Sequence, residues 1–296
     1  MSWQESISLL GRFDEHIPLA THTTLAIGGP ARWYFRPIGE AELAEALKLI
    51  PDEIAILPLG RGSNLLVSDQ GFDGVVIDFG ELDTISTNAC ELRADAGSRM
   101  GKIAQHCAAQ GLAGLEFMAT VPGDLGGGIA MNAGAFGQQV SDTLLSVRLL
   151  LRSGEISELN RDQLKMDYRR TELPEGALVI SAHFELQSDD AEAIRDRMRE
   201  MRKQRSSTQP LSLPNCGSVF KNPPGDHAAR LIEAAGLKGT RIGNARISST
   251  HANFIVNEGK ASSKDVLTLI GMAQQAVEEQ FGVHLEPEVK ILGGAA

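Results

Sequence analysis

The pattern of apolar and polar positions predicts alternating helices and strands in the first third of the chain. Residues 40–50, EAELAEALKLI, carry apolar side chains at helical spacing, and the apolar run AILPLG that follows ends in glycine. This order predicts a helix, a strand and a turn. The β-branched run VVIDF predicts a further strand, and Ser98 is placed to cap a helix over MGKIAQHCAAQ. The first third of the chain is therefore predicted to have an α/β pattern.

The rest of the chain predicts an α+β organisation. SVRLLL and ALVISAHFEL read as strands, and residues 191–205 as a charged helix. The Ser- and Pro-rich stretch SSTQPLSLPN suits a linker, which sets a domain boundary near Ser206. Beyond it, HAARLIEAAG and SSKDVLTLIGMAQQAVEEQFG predict helices on either side of the strand-like HANFIVN.

Composition narrows the possible functions. The chain has 296 residues, long enough for two or three domains, and its 42% apolar and 22% charged residues are ordinary for a folded protein. A net charge of −10 opposes nucleic-acid binding, which depends on Lys and Arg. No apolar stretch reaches the roughly 20 residues of a membrane span, and the N-terminus lacks the basic flank of a signal peptide.

The three cysteines, Cys90, Cys107 and Cys216, show neither a CxxC motif nor the His/Cys spacing of a zinc site. We therefore predict no bound metal and a cytoplasmic location, where thiols stay reduced. Cys216 precedes a Gly-Ser pair and is a possible nucleophile, but an isolated cysteine is usually a packing residue. We expect that role for Cys216.

A first glycine loop directly follows the predicted strand AILPL. Gly60, Gly62, Ser63 and Asn64 in LPLGRGSNLLVSD offer backbone N–H groups and a hydroxyl to phosphate oxygens. The loop is neither GxGxxG before a helix nor GxxxxGK[ST], so it indicates neither a Rossmann nor a Walker site. On this chemistry alone, a phosphate loop and an ordinary turn remain equally good interpretations.

A second glycine cluster lies in VPGDLGGGIAMNAGAFG, which holds six glycines. Each glycine costs chain entropy when it is ordered, so such density favours a backbone that lies flat against a ring system or a pyrophosphate. A mobile hinge is the alternative.

Seven segments, in order along nearly the whole chain, resemble UDP-N-acetylenolpyruvoylglucosamine reductases, also called UDP-N-acetylmuramate dehydrogenases. These segments are TTLAIGGPA, LGRGSNLLVSDQGF, GLEFMATVPGDLGGGIAMNAGAFG, YRRTEL, GSVFKNP, LIEAAGLKG and LEPEVKILG. Most of them are weak individually, but their combination in this order is specific. The short stretch between YRR and GSVFKNP is similar to the family's second type, which lacks an extra tyrosine-bearing loop.

The resemblance implies an α+β protein with a vanillyl-alcohol-oxidase-like (PCMH-like) FAD-binding fold and a C-terminal substrate-binding domain. It implies three domains: residues 1–78 and 79–205 bind FAD, and residues 206–296 bind substrate, with strand 288–293 joining the first domain. Oligomeric state is left open, and a monomer is compatible with the sequence.

The resemblance also implies the reaction: NADPH reduces non-covalently bound FAD, which then reduces the enolpyruvyl group of a UDP sugar to form UDP-N-acetylmuramate for the cell wall. Neither a nucleic acid nor a membrane is an expected partner. The positions expected to bind FAD are Gly60, Arg61, Gly62, Ser63, Asn64, Leu65, Pro122, Gly123, Gly126, Gly127, Asn132, Ala133 and Gly134.

Three residues match the family's catalytic positions. Ser218 corresponds to the proton donor, with Lys221 nearby to ease loss of its proton; Arg169 pairs with the developing enolate; and Glu288 polarises the substrate carboxylate. Arg170 and Glu286 are the adjacent alternatives. The substrate-binding positions implied by the match are Tyr168, Lys221, Asn222 and Lys238.

Two other functions compete with this interpretation. A flavoprotein oxidase of the same fold, acting on a sugar or a hydroxy acid, is opposed by the presence of Arg169, Ser218 and Glu288 together. A nucleotide-binding module without turnover is opposed by the same three residues.

Overall fold

A computed structural model describes residues 2–293, which divide into two compact units built from interleaved parts of the chain. The first unit consists of Met1–Glu15, Trp33–Gly60 and Gly74–Gln204. The second consists of His16–Arg32, Arg61–Asp73 and Arg205–Ala296. The terminal residues 1 and 294–296 of the first and last predicted domains lie outside the described part of the chain. The division into three domains stays a prediction.

Seven α-helices occur within residues 2–293: α1 Trp3–Ile7, α2 Glu40–Leu49, α3 Met100–Ala109, α4 Leu125–Ala130, α5 Ala191–Thr208, α6 Ala228–Ala234 and α7 Ser263–Phe281. Short 3-10 turns lie at Leu19–His22, Glu116–Ala119, Val140–Asp142 and Arg161–Gln163.

The strands of the same residues are β1 Gly11–Pro18, β2 Pro30–Pro37, β3 Ala55–Leu59, β4 Leu65–Val67, β5 Phe72–Asp78, β6 Ile85–Asn88, β7 Glu91–Asp95, β8 Leu112–Ala113, β9 Gly134–Ala135, β10 Gln138–Gln139, β11 Leu144–Leu150, β12 Ile156–Asn160, β13 Lys165–Asp167, β14 Arg170–Glu172, β15 Leu178–Glu185, β16 Gln187–Ser188, β17 Arg241–Ile242, β18 Ala245–Ile247, β19 Ile255–Asn257 and β20 Lys290–Leu292. The predicted α+β class is confirmed.

Two sheets form the centre of the first unit. Most of the sheet β1-β2-β5-β3 belongs to this unit, and β3 runs parallel to β5 from the Ala55–Gly74 pair to the Leu59–Asp78 pair. The second sheet has the order β12-β11-β15-β7-β6, with antiparallel neighbours throughout. The apolar run of β5 is buried along Val75–Ile77, as expected for a strand covered on both faces. One continuous apolar core joins both sheets to α2 and α3.

The second unit has its own apolar core. The antiparallel sheet β17-β18-β19 packs with α6 and α7, and β20 pairs in parallel with β4. Residues from distant parts of the chain share this core, among them Leu25, Leu66, Phe220 and Leu269.

Three sequence interpretations need correction. Ser98 does not cap α3; Arg99 occupies the N-cap, and the Ser98 hydroxyl donates to the Thr84 carbonyl instead. The stretch that begins at Ser206 is helical through Thr208, so the connection starts later than predicted. The glycines of the second cluster are in part helical, because α4 includes Gly126–Gly128. None of the helices within residues 2–293 has the length and apolar character needed to cross a bilayer.

Candidate active site

The two glycine loops approach each other in the first unit. Gly60 directly follows the strand β3, and a Cβ at this position would lie 2.8 Å from the Asp124 carboxylate oxygen. Gly123 precedes Asp124 with φ +131°, a conformation that other residues rarely adopt. Gly60 of the first predicted nucleotide loop therefore lies beside Asp124 of the second, and exposed Pro122 directly precedes Gly123.

The glycines of α4 have different surroundings. A Cβ at Gly126 would lie 3.1 Å from the Ala96 Cβ, and one at Gly128 would lie 2.9 Å from the Met100 sulfur, so both glycines serve close packing. At Gly127 a Cβ would meet nothing within 4 Å. Gly127 thus presents bare, exposed backbone on the surface of this segment.

Asn132 connects the second glycine segment to the turn that carries Arg169. Its buried side chain accepts from the Ser141 N–H at 3.0 Å and donates to the Asp167 carbonyl at 3.1 Å. Asp167 ends β13, and Tyr168 and Arg169 form the two-residue turn to β14. The backbone of Asn132 itself has a positive φ of 39°.

Arg169 is held against the same segment. Its Nη2 donates to the Gly134 carbonyl at 3.0 Å, beside Ala133, and its guanidinium carbon lies 4.9 Å from the centre of the Tyr168 ring. The first unit therefore brings together the predicted FAD residues 132–134 and the predicted catalytic arginine. Arg170 instead pairs with Glu172, and both side chains are largely exposed.

The remaining residues of the first glycine loop, Arg61–Leu65, belong to the second unit. Gly62 has φ +58°, and a Cβ there would lie 2.4 Å from the His22 carbonyl oxygen, so this position requires glycine. Arg61 is exposed, and Ser63 is half-buried. Asn64 donates from its side-chain nitrogen to the Glu288 carbonyl at 3.1 Å. Leu65 pairs with Lys290 in the two-stranded sheet β4-β20.

Ser218 and Glu288 lie on neighbouring extended segments of the second unit. The Glu288 N–H donates to the Val219 carbonyl at 2.8 Å, and Phe220 pairs with Pro287 in antiparallel orientation. One hydrogen bond therefore links the residue after Ser218 to Glu288.

Lys221 and the two glutamates have distinct environments. The Lys221 ammonium contacts the Glu286 carboxylate at 2.5 Å, and the Glu286 side chain is 67% exposed. Glu288 is half-buried. Lys221, three residues after Ser218, therefore forms an ion pair with Glu286, the more exposed of the two candidate carboxylates.

The other predicted substrate residues also have partners within the second unit. The Asn222 side-chain oxygen accepts from the Ala228 N–H at 3.1 Å, at the start of α6. The Lys238 ammonium lies 2.9 Å from the Glu233 carboxylate, a pair with considerable solvent exposure. Burial lowers the pKa of the half-buried His251, and the Lys238 ammonium adds to this shift.

Cys216 is a core residue. Its side chain is buried in the apolar core of the second unit, and burial raises the pKa of its thiol to about 12. A thiol in such surroundings is a poor nucleophile. The expectation that Cys216 is a packing residue agrees with this environment.

Asn253 is a buried polar residue of this region that the sequence analysis did not single out. It hydrogen-bonds the backbone directly after Ser218. The signal for it was an asparagine inside the otherwise apolar run ANFIV, where a polar side chain needs an internal partner.

Two domains of known proteins match this chain. Residues 31–160 match an FAD-binding domain, which includes both glycine loops, and residues 209–292 match the C-terminal domain of UDP-N-acetylenolpyruvoylglucosamine reductase. These matches confirm the predicted fold class. They define a flavoprotein oxidoreductase whose cofactor is FAD.

The relatives are similar over nearly their full length. UDP-N-acetylenolpyruvoylglucosamine reductase of Alkalilimnicola ehrlichii is 43% identical over 94% of each chain, and that of Magnetococcus marinus is 44% identical over 94% of this chain and 91% of its own. The crystal structure of the Thermus caldophilus reductase superposes with a TM-score of 0.84 at 36% identity and covers 96% of this chain and 100% of its own. The chain belongs to the UDP-N-acetylenolpyruvoylglucosamine reductase family.

Proposed function

We propose that the protein uses NADPH to reduce UDP-N-acetylglucosamine enolpyruvate to UDP-N-acetylmuramate, a precursor of the cell wall. The observation that carries this proposal is the backbone link between Val219 and Glu288, which holds Ser218 and Glu288 on adjacent segments. Both residues lie in the region matched by the reductase C-terminal domain.

The residues of the first unit fit a flat dinucleotide. Gly60 lies beside Asp124 without a side chain, Gly123 directly precedes Asp124 with a positive φ, and Gly127 adds open surface where any side chain would project. Together with Asn132 and Gly134, these positions would hold FAD, and Arg61–Leu65 of the second unit are the proposed phosphate loop. When bound, FAD supplies the hydride chemistry between NADPH and the enolpyruvyl double bond.

Ser218 is the proposed proton donor. Addition of hydride to the terminal carbon of the enolpyruvyl group leaves negative charge on the carbon beside the carboxylate. The Ser218 O–H bond breaks as its proton moves to that carbon, and the serine oxygen is then reprotonated from solvent. Serine is a weak acid, but its acceptor here is a strongly basic carbanion.

Arg169 and Glu288 are the proposed stabilisers of this charge. The planar guanidinium of Arg169 suits a bidentate anion such as the substrate enolate and carboxylate. Its donation to the Gly134 carbonyl restricts its rotamers before substrate binds. Glu288 is proposed over Glu286 because Glu286 is exposed and paired with Lys221.

The remaining binding roles follow from charge. Lys238 is the proposed partner of the substrate diphosphate, which would compete with Glu233 for its ammonium group. Tyr168, Lys221 and Asn222 complete the proposed substrate contacts. We place the reaction in the cytoplasm, which suits the three free cysteines Cys90, Cys107 and Cys216.

We also assign the chain to the family's second type. Between Arg170 and Gly217 the chain forms β14, β15, β16 and α5, which are joined by short connections. The shortness of these connections supports the proposed absence of an additional tyrosine-bearing loop.

The proposal is tested by the absorbance of the purified protein together with NADPH consumption. A flavin spectrum with NADPH loss that depends on UDP-N-acetylglucosamine enolpyruvate is expected. If oxygen alone reoxidises the flavin, an oxidase of the same fold replaces the proposed reductase. A colourless protein without affinity for FAD would contradict the cofactor as well.

The Ser218→Ala variant tests the proton donor. Reduction of the flavin by NADPH should proceed normally, whereas reoxidation by the enolpyruvyl substrate should slow by about 10²- to 10⁴-fold, the usual contribution of a general acid. Stopped-flow absorbance separates the two half-reactions. Ser212→Ala, at an exposed position in the preceding loop, is the control and should behave as wild type. Normal reoxidation in Ser218→Ala would remove Ser218 from the mechanism.

A further inference from the structure

Asn253 clamps the backbone that follows Ser218. Its side-chain oxygen accepts from the Phe220 N–H at 2.9 Å, and its side-chain nitrogen donates to the Phe220 carbonyl at 2.8 Å. Its own backbone carbonyl accepts from the Val219 N–H at 2.9 Å. One residue therefore makes three hydrogen bonds to the two residues directly after Ser218.

The clamp acts on the same backbone that contacts Glu288. Val219 donates its N–H to Asn253 and accepts the Glu288 N–H at its carbonyl. Both backbone polar groups of Val219 therefore have hydrogen-bond partners, the N–H in Asn253 and the carbonyl in Glu288. Because a peptide held at both groups has little freedom, the position of Ser218 relative to Glu288 depends on Asn253 as well as on the Glu288 strand.

The loop that carries Asn253 is itself ordered. The Asn253 N–H donates to the His251 ring at 3.3 Å, and the Ser248 N–H donates to the Phe254 carbonyl at 2.8 Å. Asn253 is only 3% exposed. Water therefore cannot easily replace its bonds to Phe220, and an unpaired buried backbone group there would be costly.

We propose that Asn253 is a positioning residue for the reductase reaction, which fixes Ser218 for proton delivery beside Glu288. This inference rests on the proposed function. It predicts that loss of the side-chain amide impairs the step that uses Ser218 and spares the reduction of flavin by NADPH.

Asn253→Leu removes both side-chain hydrogen bonds at nearly constant shape. Asn257→Leu is the matched control, because Asn257 is 4% exposed and also clamps backbone. Its nitrogen donates to the carbonyls of Leu25 and Ala26, and its oxygen accepts from the N–H groups of Gly259 and Ala261. Since more backbone groups lose a partner in Asn257→Leu, that variant should lose at least as much thermal stability.

The expected result separates positioning from general damage. Hydrogen exchange of the Phe220 amide should accelerate in Asn253→Leu and stay slow in Asn257→Leu. Reoxidation by the enolpyruvyl substrate, compared at equal folded fraction, should slow by about 10- to 100-fold in Asn253→Leu, as expected for a misplaced catalytic group. In Asn257→Leu it should change by less than about threefold, the level expected of a residue outside the Ser218 loop. Equal exchange and equal rates in the two variants would overturn the proposal.

A double-mutant cycle tests whether Asn253 acts through Ser218. In the Ser218→Ala background, Asn253→Leu should cause little further slowing, because the group that it positions is already absent. The same loss in both backgrounds would contradict the proposal. If Asn253→Leu fails to fold, Asn253→Asp keeps an acceptor for the Phe220 N–H and replaces the donor to the Phe220 carbonyl by a second oxygen, and it should show the same selective slowing of reoxidation. If wild type consumes no NADPH with the substrate, the proposed function fails, while the exchange measurement still reports on the clamp.

Discussion

Arg169 has an unusual backbone conformation for a charged residue. Its φ is +59°, in the left-handed region, where residues other than glycine are disfavoured by about 1–2 kcal/mol. It is the second residue of the tight turn between β13 and β14, whose ends are paired through Asp167 and Arg170. Strain of this kind is concentrated at functional sites, where the side chain is needed despite its conformation.

The strain predicts that glycine is more stable than alanine at position 169, which reverses the usual order of the two residues. Both Arg169→Ala and Arg169→Gly lose the side chain, but only glycine relieves the left-handed conformation, so the glycine variant should be more stable by about 1 kcal/mol. Both variants should lose reoxidation by the enolpyruvyl substrate. Urea unfolding and the two half-reactions measure these effects.

Arg170 is the internal control for that comparison. It lies in β14, exposed and paired with Glu172, and has no positive φ. At this position alanine should be more stable than glycine by about 0.5–1 kcal/mol, and both variants should keep activity. If the alanine variant is more stable than the glycine variant at both positions, the turn stores no strain.

Site residues that lie in local motifs were predicted from the sequence, whereas residues that depend on distant contacts were not. Arg169, Ser218 and Glu288 were predicted because each lies in a recognisable motif, and these roles stay predictions. Asn253 was not singled out, because its partner Phe220 lies 33 positions away. A residue whose importance comes from a long-range hydrogen bond leaves no local signal beyond its polarity. The error at Ser98 has the same origin, since its hydroxyl donates to distant Thr84.

At the scale of elements, local signals are strongest in α7. Its N-terminus has a capping box: the Ser262 hydroxyl accepts from the Asp265 N–H at 3.1 Å, and the Asp265 carboxylate accepts from the Ser262 N–H at 3.0 Å. Gly282 ends the helix in the left-handed conformation. The buried residues Val266, Leu269, Ile270, Ala273 and Val277 recur at helical spacing.

Removal of this cap should cost about 1 kcal/mol in the free energy of unfolding, because Ser262→Ala leaves the Asp265 N–H without its acceptor. Thr268→Ala, on an exposed turn of the same helix, removes only a bond to the Lys264 carbonyl and should be neutral or slightly stabilising. Chemical denaturation of both variants measures the difference. Equal stabilities would mean that tertiary packing alone determines where α7 begins.

Helices whose buried residues recur at helical spacing were predicted from the sequence, including α2, α3, α6 and α7. The segment of α4 was not, because a run of three glycines has low helix propensity. Its helix depends on contacts that no local pattern contains: the Gly126 N–H donates to the Ala96 carbonyl, and Gly128 packs against Met100. Tertiary contacts decide the conformation of this segment.

At the scale of the whole molecule, residues that are far apart in the sequence share one core. The core of the second unit includes Leu25, Ile27 and Leu66 from the first quarter of the chain, together with residues after 215. The strand β20 has its partner β4 in that early part. Composition along the chain places boundaries where residue types change, so it does not detect a core assembled from three segments. The family resemblance alone predicted that strand 288–293 joins residues 1–78, the part of the chain that contains β4.

This interleaving predicts the behaviour of a fragment. Residues 205–296 alone lack the apolar side chains of His16–Arg32 and Arg61–Asp73, and they leave β20 without its partner strand. We expect this fragment to show no cooperative thermal transition by circular dichroism and to bind a hydrophobic dye, because its remaining apolar surface has lost part of its cover. The full chain, measured in parallel, should melt cooperatively, and addition of residues 1–204 should restore part of the fragment's structure, because that piece supplies both missing segments. A sharp melting transition in the isolated fragment would instead show that Ala228–Ala234, Ser263–Phe281 and the sheet between them form a self-sufficient domain, as a boundary near Ser206 predicts.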